Sequence, residues 1–296
     1  MKLAQLFYLS WWYFQIKFLG KRKPLQTVLF INNTCNYNCK HCCIDKTTPK
    51  QMSYEQIRTE LEYSYSQGSR FVDFEGGEPT LWHDKGKTIN DLCDLAKSIG
   101  FFSTTVTTNA SEDFSYLTAE HVFVSLDGIK THDSIRQKNA FNRLKQNIAN
   151  FPRPKDLSVN MVINSINAGE ISETIEFVEK NPYINGISFN FYNDFTNNRE
   201  LKIKNKKEII EKIINYKKRG FHIINTIKGL RYLINSDFKK VCWITNFISV
   251  DGIRFVGCQG VNGEICKDCG FGMSGEMRAL YDFSFETILS GLKLRK

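Results

Sequence analysis

Six short runs rich in β-branched and aromatic residues recur along the first two thirds of this chain, and helical patterns separate most of them. The runs are TVLFINN (27–33), RFVDFE (70–75), FFSTTVTT (101–108), HVFVSL (121–126), LSVNMVI (157–163) and GISFNFY (186–192). Ser53 with Gln56 three residues on marks a capped helix start, and that helix ends at Gly68. A second helix runs through Leu92, Leu95 and Ala96 to Gly100, and others are expected around 134–149, 168–180 and 205–219. The last of these turns Ile209, Ile210, Ile213 and Ile214 inward. Strands alternating with helices argue for a parallel sheet with helices outside, because parallel neighbours need a long crossover. Six such units in about 200 residues predict an α/β fold built as a partial (β/α)6 barrel, not the full eight. A doubly wound open sheet fits the same periodicity.

Composition removes several other classes. At 42% hydrophobic and 24% charged the chain is neither disordered nor collagen-like. Nine cysteines, an odd number, speak against a secreted disulfide framework and for metal ligation or free thiols. The net charge of +9 is unevenly placed: Arg199 to Lys240 holds thirteen Lys or Arg against four Asp or Glu, which is itself +9. A solvated helix face accounts for that, and so does a surface for an anionic partner. No recognition motif accompanies it, so no nucleic acid is expected.

Residues 3–19 read LAQLFYLSWWYFQIKFL and precede Lys21, Arg22 and Lys23. A signal peptide wants its charge before the apolar run and a cleavage site after it, and neither is here. A spanning helix wants about 20 apolar residues, whereas this run is shorter and includes Gln5, Ser10, Gln15 and Lys17. Tyr8, Trp11, Trp12, Tyr13 and Phe14 suit a bilayer interface, yet the polar positions do not gather on one face, so the amphipathic pattern is weak. An interfacial anchor and a helix packed on the domain's own surface fit equally well. The expected setting is cytoplasmic, with the anchor reading placing the chain at the inner membrane face.

Cys35, Cys39 and Cys42 stand in CNYNCKHC directly after the first strand. Three thiolates at C-x3-C-x2-C spacing can converge on one soft metal centre. Structural zinc normally wants four protein ligands, so three suit a cubane iron–sulfur cluster with one open iron. His41 or Cys43 as a fourth ligand would restore the zinc reading. At this point the chain resembles the radical S-adenosylmethionine superfamily, whose three cysteines hold a [4Fe–4S] cluster that chelates S-adenosylmethionine. His41 takes the place of the family's usual aromatic residue and still offers a ring near the adenine.

Further motifs carry the same resemblance, over roughly residues 27 to 195. GGEP, Gly76, Gly77, Glu78 and Pro79, follows the second strand, where the family's loop meets the amino group of S-adenosylmethionine. SLDG (125–128) and HDSIR (132–136) are similar to the ribose and carboxylate contacts, which the resemblance carries onto Ser125 and Arg136. A hydroxyl bonds a ribose, and a guanidinium grips a carboxylate in bidentate fashion. Thr107, Thr108 and Asn109 end the third strand facing the same mouth, and Asn109 joins the candidate cofactor contacts.

Cys242, Cys258, Cys266 and Cys269 form a second group, spaced C-x15-C-x7-C-x2-C. Four thiolates close a tetrahedral zinc site or a fully ligated [4Fe–4S] cluster. The segment resembles the abbreviated cysteine-rich extension called twitch, a short form of SPASM, and Gly252 matches that extension's glycine ten residues after the first cysteine. The next cysteine comes after five residues instead of four. One auxiliary [4Fe–4S] cluster is therefore expected. Cys93 falls in a helical pattern as a core residue, and Cys43 reads as core or spare thiol. The expected segments are 1–24 (aromatic and basic helix), 25–235 (core barrel) and 236–296 (cysteine-rich extension).

The resemblance implies an enzyme that reductively cleaves S-adenosylmethionine to a 5′-deoxyadenosyl radical, with an external electron donor such as flavodoxin or ferredoxin. The radical would take hydrogen from an unactivated carbon of a peptide, or of a lipid-linked or other small-molecule substrate. A non-catalytic metal-binding and partner-binding protein is the alternative.

Overall fold

Alternation of side chains decides how the strands are used. In the second run Val72 and Phe74 have no exposure, while Asp73 and Glu75 between them keep partial contact with solvent. The same rhythm puts Val106, Val122, Val124, Val159 and Met161 under the helices, and Thr105, Thr107, Phe123, Ser125 and Asn160 on the opposite, inner face. One face is therefore a sealed apolar layer and the other a polar, reachable surface.

A computed structural model of the chain describes residues 2–152, 156–195 and 197–293, so the outermost positions of the first and last expected segments lie outside the described residues. Its elements run α1 (Leu3–Phe18), β1 (Gln26–Asn32), α2 (Tyr54–Gln67), β2 (Phe71–Gly76), α3 (Ile89–Ile99), β3 (Ser103–Thr108) and β4 (His121–Ser125). Two helices follow, α4 (His132–Ile135) and α5 (Ala140–Asn150), then β5 (Asp156–Ile163), α6 (Ile171–Lys180) and β6 (Ile187–Phe191). The chain continues through α7 (Lys206–Lys218), α8 (Ile227–Leu233), β7 (Thr245–Ile248), β8 (Arg254–Val256), α9 (Gly272–Tyr281) and α10 (Phe285–Lys293).

All six expected strands form, and each pairs in parallel with its neighbour in sequence. The sheet order is β6-β5-β4-β3-β2-β1-β7-β8, so the fold is α/β with a mostly parallel sheet. β7 adds in parallel beside β1, and β8 returns antiparallel to β7. Neither strand was expected: both lie within the segment read as a cysteine-rich extension. That segment also reaches the other edge. Phe191 N donates to Gly270 O at 2.8 Å, and the Asn190 and Asn193 side chains accept from Gly272 N and Gly270 N, each at 2.7 Å. One stretch of chain thus ties both edges of the sheet.

The helices cover the apolar face as expected. Ser53 and Gln56 make the reciprocal capping box, and α2 ends on Gly68. Ile209, Ile210, Ile213 and Ile214 of α7 are buried, and Cys93 has no exposure within α3. The helix expected over 134–149 is two helices, α4 and α5. The Asp133 carboxylate accepts from Asn139 N at 2.7 Å and Phe141 N at 2.8 Å, which caps the second and breaks the first. Among the described residues, no helix is long and apolar enough to cross a membrane.

Candidate functional site

β1 ends at Asn32, and the loop beyond it is closed by a side chain. Asn33 Nδ2 donates to Asp45 O and Thr48 O, both at 2.8 Å, and Asn33 Oδ1 accepts from Lys50 N at 2.6 Å. The arc between these points carries Cys35, Cys39 and Cys42, all free thiols and all partly exposed. Cys43 is exposed, which removes its core reading. Burial pushes the Cys35 and Cys39 thiols up, and neighbouring Cys42 adds to it in both; Arg136 works the other way at Cys39.

The GGEP loop lies directly against this arc. Gly77 N donates to Asn32 O at 2.9 Å, and Glu78 N to Thr34 O at 2.8 Å. A Cβ on Gly77 would stand 2.2 Å from Thr34 O, so only glycine permits the approach. The Glu78 side chain turns inward. Its Oε1 accepts from Thr80 Oγ1 and Thr108 Oγ1 at 2.7 Å each and from Thr80 N at 3.2 Å, and its Oε2 accepts from Asn109 N at 2.7 Å. Burial raises the Glu78 pKa, and these donors oppose it. The carboxylate thus locks GGEP to the end of β3, and Thr108, expected at the mouth, is spent on this lock. Pro79 is buried at the start of the short turn that follows.

Asn109 faces the cysteines. Its Nδ2 donates to Asn36 Oδ1 at 3.0 Å and stands 3.7 Å from Cys35 Sγ. Ser125, the last residue of β4, pairs with Asn160 and sits on the inner face at the same end of the sheet. Arg136 is almost fully buried; its Nε donates to Asp127 Oδ2 at 2.7 Å, and its Nη1 lies 3.9 Å from Cys39 Sγ. His41 Nε2 is 3.7 Å from the same Asp127 oxygen, and its buried Nδ1 has no hydrogen-bond partner. The ring expected near an adenine therefore sits beside a carboxylate.

Asp127, within the SLDG run, organises this corner. Fully buried, it also accepts from Val162 N at 3.1 Å, and its own N–H donates to His132 Nδ1 at 3.0 Å. Burial works to raise its pKa, yet Arg136 and the two imidazoles hold it below the ordinary carboxylate value. Burial, with Arg136 adding, pushes His132 down to about 4; burial also lowers His41. The His132 ring is therefore neutral at pH 7. An acid at a strand's C-terminal end was the available signal for Asp127. Glu75, immediately before Gly76, was missed in the same way: burial and the Asp73 carboxylate push it up to about 7.

The four later cysteines lie near enough for Cys242 to feel the charges of the other three. Cys242 opens the turn before β7, Cys258 follows β8, and Cys266 and Cys269 flank the end of another short turn. Burial, with Cys258, Cys269 and Cys266 adding, pushes the Cys242 thiol up to about 12. Cys266 Sγ donates to Gly260 O at 3.1 Å, and Lys206 Nζ holds Cys269 O at 3.0 Å. Among the described residues, no three or more His, Cys, Asp or Glu side chains are gathered as a site for a single metal ion.

Comparison with known proteins agrees with the fold. SuiB of Streptococcus suis, solved bound to S-adenosylmethionine, superposes with a TM-score of 0.62 at 17% identity, covering 91% of this chain and 68% of SuiB. The structure of anSMEcpe with bound AdoMet and Kp18Cys peptide gives 0.61 at 14% identity, covering 92% of this chain and 84% of that one. The Fe-coproporphyrin III synthase of Methanosarcina barkeri is 25% identical over 177 residues, 56% of this chain and 43% of that protein. The matched stretch spans 41% to 59% of the curated relatives. The Radical SAM superfamily model matches residues 29–178, from within β1 into α6 and through both the cysteine arc and GGEP. That match covers half of the chain, which belongs to the radical S-adenosylmethionine superfamily.

Proposed function

We propose that this chain is a radical S-adenosylmethionine enzyme that modifies an unactivated carbon of a peptide. The observation that carries the reading is the corner where Cys35, Cys39 and Cys42 meet Asn109 and Arg136, because N–H donors set against two of the sulfurs suit thiolate ligands of an iron–sulfur group. Cys35, Cys39 and Cys42 would hold a [4Fe–4S] cluster, which with S-adenosylmethionine and one external electron would supply a 5′-deoxyadenosyl radical for hydrogen abstraction, methionine being released. The chain's own residues position and shield. The backbone of Gly76, Gly77, Glu78 and Pro79 would meet the amino group of S-adenosylmethionine, Ser125 its ribose, and Arg136 its carboxylate through the nitrogens that Asp127 leaves available. Asn109 and Asp127 would orient the cysteine arc, and His41 would pack its ring beside it.

We read the six parallel strands as a partial barrel, with residues 25–235 as its core and 236–296 as a twitch-like extension. The tie from β7 and β8 at one edge to Asn190 and Asn193 on the other supports that reading. Cys242, Cys258, Cys266 and Cys269 would hold an auxiliary [4Fe–4S] cluster beside β6, within reach of the inner face. A peptide is favoured because fold neighbours that cover about nine tenths of this chain, SuiB with its precursor peptide SuiA and anSMEcpe with Kp18Cys, were captured with peptides. A small molecule is the second reading, which the identity to a coproporphyrin synthase favours. An external flavodoxin or ferredoxin would supply the electron.

Anaerobically reconstituted protein should carry about eight irons and no zinc. Cys39→Ala should lower iron and abolish 5′-deoxyadenosine formation. Wild-type output from that variant, or zinc without iron, would overturn the proposal.

A further inference from the structure

Helix α1 carries two apolar faces. Trp12 and Ile16 are buried and pack with Val241 and Ile244. Trp12 Nε1 donates to Lys23 O, and Tyr13 Oη to Tyr281 O, both at 3.1 Å. This face fastens the helix to the domain. At 100° per residue, Leu3, Phe7, Trp11, Phe14 and Phe18 fall within roughly 80° of arc on the other side. They are 82, 78, 53, 41 and 70% exposed. Trp11 stacks on Phe14 at 5.5 Å and Phe14 meets Phe18 at 5.3 Å, which joins them into one ridge. Phe283, 63% exposed, extends the surface through its contact with Tyr13 at 5.5 Å. A contiguous apolar surface of this kind marks an interaction site.

Charge identifies the occupant. The first 44 residues contain no Asp or Glu and six Lys or Arg. Lys2 is exposed at one end of the ridge, and Lys21 and Arg22 at the other. The ridge is the outer side of a helix, not a groove. A second copy docked across a two-fold axis would set like charges together with no carboxylate of this segment to neutralise them. Anionic headgroups neutralise both ends, while the headgroup layer accepts Trp, Phe and Leu side chains from a helix lying flat.

We propose that the outer face of α1 docks this protein on the surface of an anionic lipid bilayer. Leu3, Phe7, Trp11, Phe14 and Phe18 enter the headgroup region, and Lys2, Lys21 and Arg22 meet the lipid phosphates. The proposal is independent of the catalytic reading, since none of these residues belongs to the candidate site.

Full-length protein is mixed with vesicles of phosphatidylcholine alone or with 30% phosphatidylglycerol, and binding is read by flotation (the vesicle content being about a third anionic, to give the strong surface field that favours basic segments). The mixed vesicles should bind the wild type, and binding should weaken at high salt. Each basic residue near the surface is worth about a fivefold preference, so K21Q/R22Q should lower partitioning about 25-fold. F7S/W11S/F18S should abolish binding with an unchanged melting temperature, since these side chains are exposed. As a readout that needs no folding control, brominated lipid should quench wild-type tryptophan fluorescence, and W11F should bind but lose most of the quenching. Equal flotation of wild type and the triple variant, equal binding to neutral vesicles, or a dimer in solution that the triple variant dissolves without any vesicle binding would each overturn the proposal.

Discussion

Glu75 gives the most exacting test of how the inner face is built. It sits on β2 two residues beyond Asp73, so both carboxyl groups point to the same side of the sheet, ahead of the GGEP loop. Burial and the Asp73 charge push Glu75 from 4.5 up to about 7. A group whose pKa is higher in the fold than in the unfolded chain binds its proton more tightly when folded. The stability this contributes is complete below about pH 4.5 and is lost as pH rises through about 7. The gap between the two values is worth about 3 kcal/mol. Glu75→Gln keeps the shape and removes the titration. Relative to their difference at pH 4.5, the variant should therefore gain about 3 kcal/mol on the wild type by pH 8. For a chain of this size that is a melting-temperature gain of about 6–12 °C. Glu276 is also pushed to about 7, by burial foremost, but it is present in both proteins and cancels in the difference. Thermal melts of wild type and variant from pH 4.5 to 8 measure it. A difference that stays flat with pH, or a variant less stable at pH 8, would refute the placement of this carboxyl in a desolvated, like-charged setting. A stabilised variant that also loses turnover would show that the strain is kept for function.

Three other substitutions probe the corner and its support. Asp127→Asn preserves volume but strips the buried Arg136 of its counter-ion; a loss of about 3–5 kcal/mol is expected, read by melting temperature, together with reduced iron after reconstitution. Gly77→Ala would set a Cβ 2.2 Å from Thr34 O, and the loop must move off β1; equilibrium dialysis should show S-adenosylmethionine binding lost, with a cost of about 1–3 kcal/mol in a melt. Gly275 of α9 faces the backbone of Gly229 in α8, where a Cβ would stand 2.2 Å from Gly229 O. Gly275→Ala should therefore cost about 1–3 kcal/mol in a melt by forcing the helices apart.

What could be read from the sequence, and what could not, divides along physical lines. The six parallel strands were legible because each is a short run rich in β-branched and aromatic residues, and in β2 to β6 alternate residues are buried and reachable, whereas β1 is buried on both faces. Helices α2, α3 and α7 were legible for the same reason at their own period. The break between α4 and α5 was not, because the apolar pattern runs on while the Asp133 carboxylate caps Asn139 and Phe141. β7 and β8 were missed since TNFI and RFV are too short to show a period, and only their pairing partners make them strands. The weak amphipathic pattern of α1 has a plainer cause: both of its faces are apolar, one against Val241 and Ile244 and one against solvent. At the candidate site, cysteine spacing and GGEP mark where chemistry is expected, because each is local in sequence. The residues that hold the site are not local. Asp127 joins Arg136, His41, His132 and Val162, partners drawn from three stretches of chain. Glu78 joins Thr80, Thr108 and Asn109 across two strand ends. A buried carboxylate has to find several donors at once, and only a closed fold brings them within reach. These two acids hold Asn109 and Arg136, the side chains that reach Cys35 and Cys39.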